Sequence, residues 1–119
     1  MSTPPESQYI LFLRHPPGGT PPPEELQKIM AKFAVWVDGL KARGQFVGTN
    51  GLEMTGKVLR PPRGTRPTDG PYVEAKEIVG GYILINAASL DQATEIAANC
   101  PGLDHGVFIE VRPIRPRPN

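Results

Sequence analysis

The sequence predicts a single α+β domain, and three observations carry that prediction. Two amphipathic helical stripes each end in a helix stop. Four short runs rich in aromatic and branched aliphatic residues flank them. Fifteen prolines and thirteen glycines in 119 residues cluster at the ends and in two loops, so they separate these elements more than they interrupt them. A chain of this length has room for one modest core.

Taken in order, residues 1–7 are polar and proline-bearing and read as a loose arm. Residues 8–14 (QYILFLR) form a buried strand, which His15-Pro16-Pro17-Gly18-Gly19 ends. Prolines 21–23 with Glu24 and Glu25 suit the first turn of a helix, where a missing N–H costs nothing and negative charge meets the positive end of the dipole. Leu26, Ile29, Met30, Phe33, Val37 and Leu40 follow at spacings of three and four, and Gly44 is the stop. Phe46-Val47-Gly48 starts a second strand, and residues 52–59 continue as a weaker ribbon. The loop 60–67 leads to an excursion expected to bring Thr68 and Asp69 back beside the sheet. Residues 79–86 are a strand. Ser89 to Gln92 is a capping box opening a second helix with Leu90, Ala93, Ile96, Ala97 and Cys100 on its buried face. Pro101-Gly102 ends it, and residues 107–112 are the last strand. The domain spans 8–114, and 115–119 is a Pro/Arg tail. The order is the β-α-β-β-α-β of a ferredoxin-like antiparallel sheet with an added hairpin, helices on one face.

Two helices cover one face of such a sheet, so the other needs a partner, and a second copy of the chain is the economical one. Strand alternation assigns the faces. Tyr9, Leu11, Leu13, then Val79, Gly81, Ile83, Ile85, then Val107, Ile109, Val111 belong under the helices. Phe12, Arg14, Tyr82, Asn86, Phe108, Glu110 and Arg112 collect on the open face. Aromatic residues with a few polar groups fit a small-molecule cavity. They equally fit a dry homodimer interface with Arg–Glu pairs, the plainer reading of the two, and both can coexist.

The formal net charge of +1 argues against general nucleic-acid or acidic-membrane binding. A single cysteine makes no intrachain disulfide, the N-terminus lacks signal-peptide features, and no apolar run reaches the length of a membrane span. A cytoplasmic protein is the expectation. Two distant histidines and one cysteine fall short of a zinc site, and no phosphate-binding loop, dinucleotide fingerprint or GxSxG elbow occurs, so neither metal nor cofactor is expected.

The stretch Asp69-Gly70-Pro71-Tyr72-Val73-Glu74-Ala75-Lys76-Glu77, with Gly80-Gly81-Tyr82 after it, closely resembles the signature of DGPF-type YCII-related proteins. Thr55-Gly56-Lys57-Val58, Ser89-Leu90-Asp91-Gln92-Ala93, Asn99-Cys100-Pro101 and Glu110-Val111-Arg112-Pro113-Ile114 match in the same order, over roughly residues 8–114. The resemblance implies a dimeric α+β barrel, similar in fold to muconolactone-processing isomerases and dehalogenases, whose two sheets enclose a cavity. It also implies a His–Asp pair suggested for some members, with the histidine early in the first helix. Residues 21–43 hold no histidine, so that pair does not carry over.

For acid–base chemistry the candidates are His15, at a strand end, and Asp69. Asp69 before Gly70-Pro71 equally suits a turn brace. Arg14, Lys76, Tyr82, Glu110 and Arg112 are the candidate ligand contacts, an arginine holding the carboxylate of a small organic acid. Lys76 with Glu74 otherwise reads as a solvated ion pair. Cys100 suits a small buried apolar position better than a nucleophile. The functions these residues allow are a small acid–base enzyme acting on a compact organic acid or lactone, a ligand-binding module without turnover, and a regulatory interaction module.

Overall fold

The computed structural model describes residues 7–16, 21–70 and 78–116. Six strands and two helices follow the order β1 (Ser7–His15), α1 (Pro23–Ala42), β2 (Phe46–Gly51), β3 (Gly56–Arg60), β4 (Thr65–Gly70), β5 (Ile78–Ala87), α2 (Leu90–Ala98) and β6 (Phe108–Pro113). A 3-10 turn, Pro101–His105, precedes the last strand. The main sheet runs β2-β5-β1-β6, and every neighbouring pair is antiparallel. β5 sits between β1 and β2, the split β-α-β arrangement of a ferredoxin-like α+β fold.

The helix ends form as their local chemistry requires. Glu24 and Glu25 lie in the first turn of α1, with proline at its start. Gly44 just past its end has φ of 71°, where a side chain would be strained. At α2 the Ser89 hydroxyl accepts from the Gln92 N–H at 3.1 Å, and the Gln92 side chain accepts from the Ala88 N–H at 2.6 Å. The capping box is thus reciprocal, with the return bond landing one residue earlier than in the standard motif.

The core lies between the sheet and the helices. Leu11, Leu40, Ile83 and Ile85 are fully buried, joined by Tyr9, Ala87, Ala93, Ile96, Ala97 and Cys100, with Leu13, Ile109 and Val111 packed around them. The two-residue alternation therefore holds through β1, β5 and β6. It fails at Val79. A bulge lets β5 carry an extra residue, so Val79 faces Arg14 while Gly81 faces Leu13, and Val79 loses the phase of the aliphatic set.

Four other expectations change. His15 does not end β1 but is its last residue, paired with Ile78. Leu90, at the first turn of α2, is 47% exposed instead of buried. The stripe of α1 is buried only in its second half, at Val37 and Leu40, while Leu26 and Met30 remain exposed. The excursion does not return beside the main sheet: β3 and β4 pair with each other as a separate two-stranded ribbon, with Asp69 opposite Lys57.

The molecule measures 54 × 45 × 18 Å. Eighteen ångströms is the depth of two layers, since packed layers stand roughly 10 Å apart. Among the described residues the second face of the sheet therefore carries no third layer. Among the described residues no helix is long and apolar enough to cross a membrane.

Candidate functional site

Register builds the open face in rows. Asn50, Tyr82, Phe12 and Glu110 lie side by side across the sheet. Leu84, Ile10 and Arg112 form the next row, and Arg14 stands opposite Phe108. Phe12, Tyr82, Ile10 and Leu84 are half-buried, and Phe108 is 54% exposed. This is a contiguous apolar and aromatic surface with its charges gathered on one side.

Those charges form one cluster. Arg14 donates to Glu110 Oε1 from Nε at 2.9 Å and also from Nη2. Its guanidinium carbon lies 5.8 Å from the centre of the Phe12 ring. Arg112 Nε stands 4.0 Å from Glu110 Oε2. Two arginines therefore share one carboxylate and leave a net positive charge. Glu110 takes two of the Arg14 donors at close range, whereas among the described residues Arg112, 64% exposed, has only this longer contact. The Arg14–Glu110 pair is partly exposed and contributes about 1 kcal/mol or less to stability, so its value lies more in orienting the guanidinium over Phe12.

Tyr82 is held from two sides. The Asn50 amide donates to its phenol oxygen at 3.0 Å, and the Thr49 hydroxyl donates to its carbonyl at 2.8 Å. With the phenol oxygen accepting from Asn50, the phenol proton is directed elsewhere. Asn50 was not among the candidates from sequence. Its role depends on β2 pairing with β5, a long-range register that no local motif encodes.

His15 lies at the end of β1, next to Arg14. Its Nδ1 is 3.0 Å from the Pro16 carbonyl, which can only accept, so Nδ1 carries the proton and Nε2 holds the lone pair of the neutral ring. The ring packs on Gly80. A Cβ there would lie 2.6 Å from Nε2 and 2.8 Å from Cδ2, so a side chain at position 80 and the present position of His15 exclude each other. This assigns Gly80 a specific duty, with Gly81 separately needed for close approach to the Asn50 carbonyl, 3.1 Å from its Cβ position.

Asp69 stands apart from this group. It is a strand residue of the ribbon, its side chain 89% exposed, and its carboxylate accepts from Lys57 Nζ at 2.6 Å. That contact crosses the ribbon, and the turn that Asp69 would brace begins at Pro71, outside the described residues. Lys76, Glu74 and Glu77 lie outside the described residues. Cys100 is buried, and burial pushes its thiol upward, partly offset by a backbone hydrogen bond at Gly102, so at neutral pH it is a neutral apolar side chain. His105 lies in the 3-10 turn, 4.0 Å from Glu25. Among the described residues no group of three or more His, Cys, Asp or Glu could hold a metal ion.

The structure thus joins Arg14, Glu110 and Arg112 with Phe12, and sets Tyr82 in the row of Phe12 and Glu110. It leaves His15 at the strand end and Asp69 on the ribbon. In comparisons with known proteins, no curated protein matches the sequence significantly. The family model of the YCII-related domain matches residues 7–117, nearly the whole chain. By fold order and by this match, the chain belongs to the YCII-related domain family.

Proposed function

We propose that the chain acts as a homodimer, paired sheet to sheet, that holds a compact organic acid over the aromatic floor of Phe12 and Tyr82. Arg112 binds the carboxylate, and His15, which alternation along β1 puts on the Leu13 side, moves a proton around the strand end next to Arg14. The observation that carries this reading is the charge cluster on the uncovered sheet face. Arg14 is neutralised by Glu110, so among the described residues of this face Arg112 is the cation left to meet an anion. Covering the face with a second copy removes water from that cation and strengthens its hold on a carboxylate. The Tyr82 phenol proton, directed away from Asn50, supplies a donor in the row next to that of Arg112.

One observation favours a second reading, binding without turnover. Among the described residues the only polar contact of His15 is the Pro16 carbonyl, and Asp69 is engaged by Lys57. Among the described residues no carboxylate orients the imidazole, and general bases usually have such a partner.

The test combines light scattering of the purified protein, native mass spectrometry for co-purifying small molecules, and thermal-shift titration with short carboxylic acids and lactones. The expected result is a dimer stabilised by at least one carboxylate, with the stabilisation lost in Arg112→Ala. Conversion of that ligand, followed by NMR and lost in His15→Gln, is the enzyme result; an unchanged ligand leaves the binding module. A monomer at micromolar concentration, or stabilisation indifferent to Arg112→Ala, overturns the proposal.

A further inference from the structure

The first half of α1 and the end of the sheet beneath it do not close on each other. Between them is a cavity of about 240 Å³. Ile29, Met30 and Phe33 form its helix wall, Leu13, Cys100 and Val107 line it further, and Gly51 and Gly81 contribute to its floor. Gly81 shares the Leu13 side of the sheet, the helix-covered one, so this space is distinct from the open-face cluster.

Its chemistry is uniform. Among the described residues no charged side chain lines it. The Thr49 hydroxyl, which also borders it, is already committed to the Tyr82 carbonyl, and the Cys100 thiol is neutral. An anion would find no counter-charge there.

The floor explains why the space exists. Gly81 is tightly fitted, because its Cβ position is 3.1 Å from the Asn50 carbonyl. Gly51 is not. It does not have a positive φ, and a Cβ on it would meet nothing nearer than the Gly80 carbonyl at 4.0 Å. Gly51 closes β2, and a branched side chain there would both favour the strand and fill the gap. Position 51 therefore gives up local stability and keeps a volume open opposite a helix stripe of core-forming residues. At the rim, Met30 is 57% exposed and unbranched, a side chain able to swing aside.

We infer that this cavity is a second ligand site, for a compact uncharged apolar molecule about the size of a substituted benzene ring. The size follows from the volume: an apolar cavity of roughly 150 Å³ already takes benzene, and drug-sized sites begin at about 300 Å³.

The test is titration of the isotope-labelled full chain with toluene and with indole, read by amide NMR, with hexanoate as the charged control. Saturable shifts are expected at Phe33, Gly51 and Gly81, with hexanoate inert at those residues. Gly51→Val, which puts three carbons into the space, should abolish them while raising the melting temperature, and Gly51→Ala should weaken them. Absence of saturable shifts at those three residues with either probe overturns the inference, as do shifts that persist unchanged in both variants. If Gly51→Val does not fold, the wild-type and Gly51→Ala titrations decide the matter alone. Failure here leaves the carboxylate proposal standing, since Arg112→Ala tests that one on the other face of the sheet.

Discussion

His15 and Gly80 fit together as one unit, because the imidazole occupies the place of the missing side chain. Gly80→Ala should therefore displace the ring. The histidine is the movable partner, so the loss of stability should stay within about 1 kcal/mol, while the His15 ring signals shift in NMR and any turnover falls as it does in His15→Gln. Unmoved ring signals in Gly80→Ala would refute that coupling. Glu110 is the second residue with a clear consequence. Glu110→Gln releases Arg14 and adds one net positive charge to the open face, so affinity for a carboxylate should rise several-fold at low salt and lose that gain at high salt. Cys100 gives a pH effect whose sign is fixed. Burial raises the folded-state pKa above that of the unfolded chain. The stability linked to the thiol is then complete below the ordinary value of about 8.5 and is lost as pH rises through the higher folded value. Cys100→Ala should flatten the alkaline limb of the stability curve, checked by urea unfolding at stepped pH.

Among the elements, β5 is the best buried, with Gly81, Ile83, Ile85 and Ala87 alternating inward between β1 and β2. Helix α1 has fully buried side chains only in its second half. Truncations should separate the two. Ile85→Ala should cost about 2–5 kcal/mol, whereas Met30→Ala, on the exposed half of α1, should cost well under about 1 kcal/mol. Chemical unfolding of both variants checks the contrast, and similar losses would mean that the first half of α1 packs as tightly as the second. Ser89→Ala removes the hydroxyl that caps Gln92 and should cost about 1 kcal/mol.

The whole molecule is a two-layer slab, 18 Å deep, with a radius of gyration of 16.6 Å. A compact domain of this length would have about 13–14 Å. A separate ribbon and an uncovered sheet face both increase that value. If the open face is a pairing surface, placing a charge at its centre should abolish pairing and spare the fold. Leu84→Lys or Ile10→Lys should shift the light-scattering mass from dimer to monomer with circular dichroism unchanged. A dimer of undiminished affinity would place the interface elsewhere.

By itself the sequence determined what depends on neighbours a few residues apart. The 3.6-residue stripe placed α1, the Ser89–Gln92 pair placed the start of α2, Gly44 ended α1, and the two-residue alternation sorted Leu11, Ile83 and Ile85 from Phe12, Tyr82 and Glu110. The family motifs belong to the same level, being local strings. The tertiary structure decided what depends on strand register and packing distance. Register put Asn50 on the Tyr82 phenol, set Lys57 against Asp69 and brought Glu110 to Arg14 across 96 positions of chain. A one-residue bulge took Val79 out of phase and left His15 over Gly80, and the gap under α1 arose where glycines meet a helix stripe. Periodicity tells which side a residue faces. It does not tell which residue stands opposite, because that depends on how distant strands align once the core has closed.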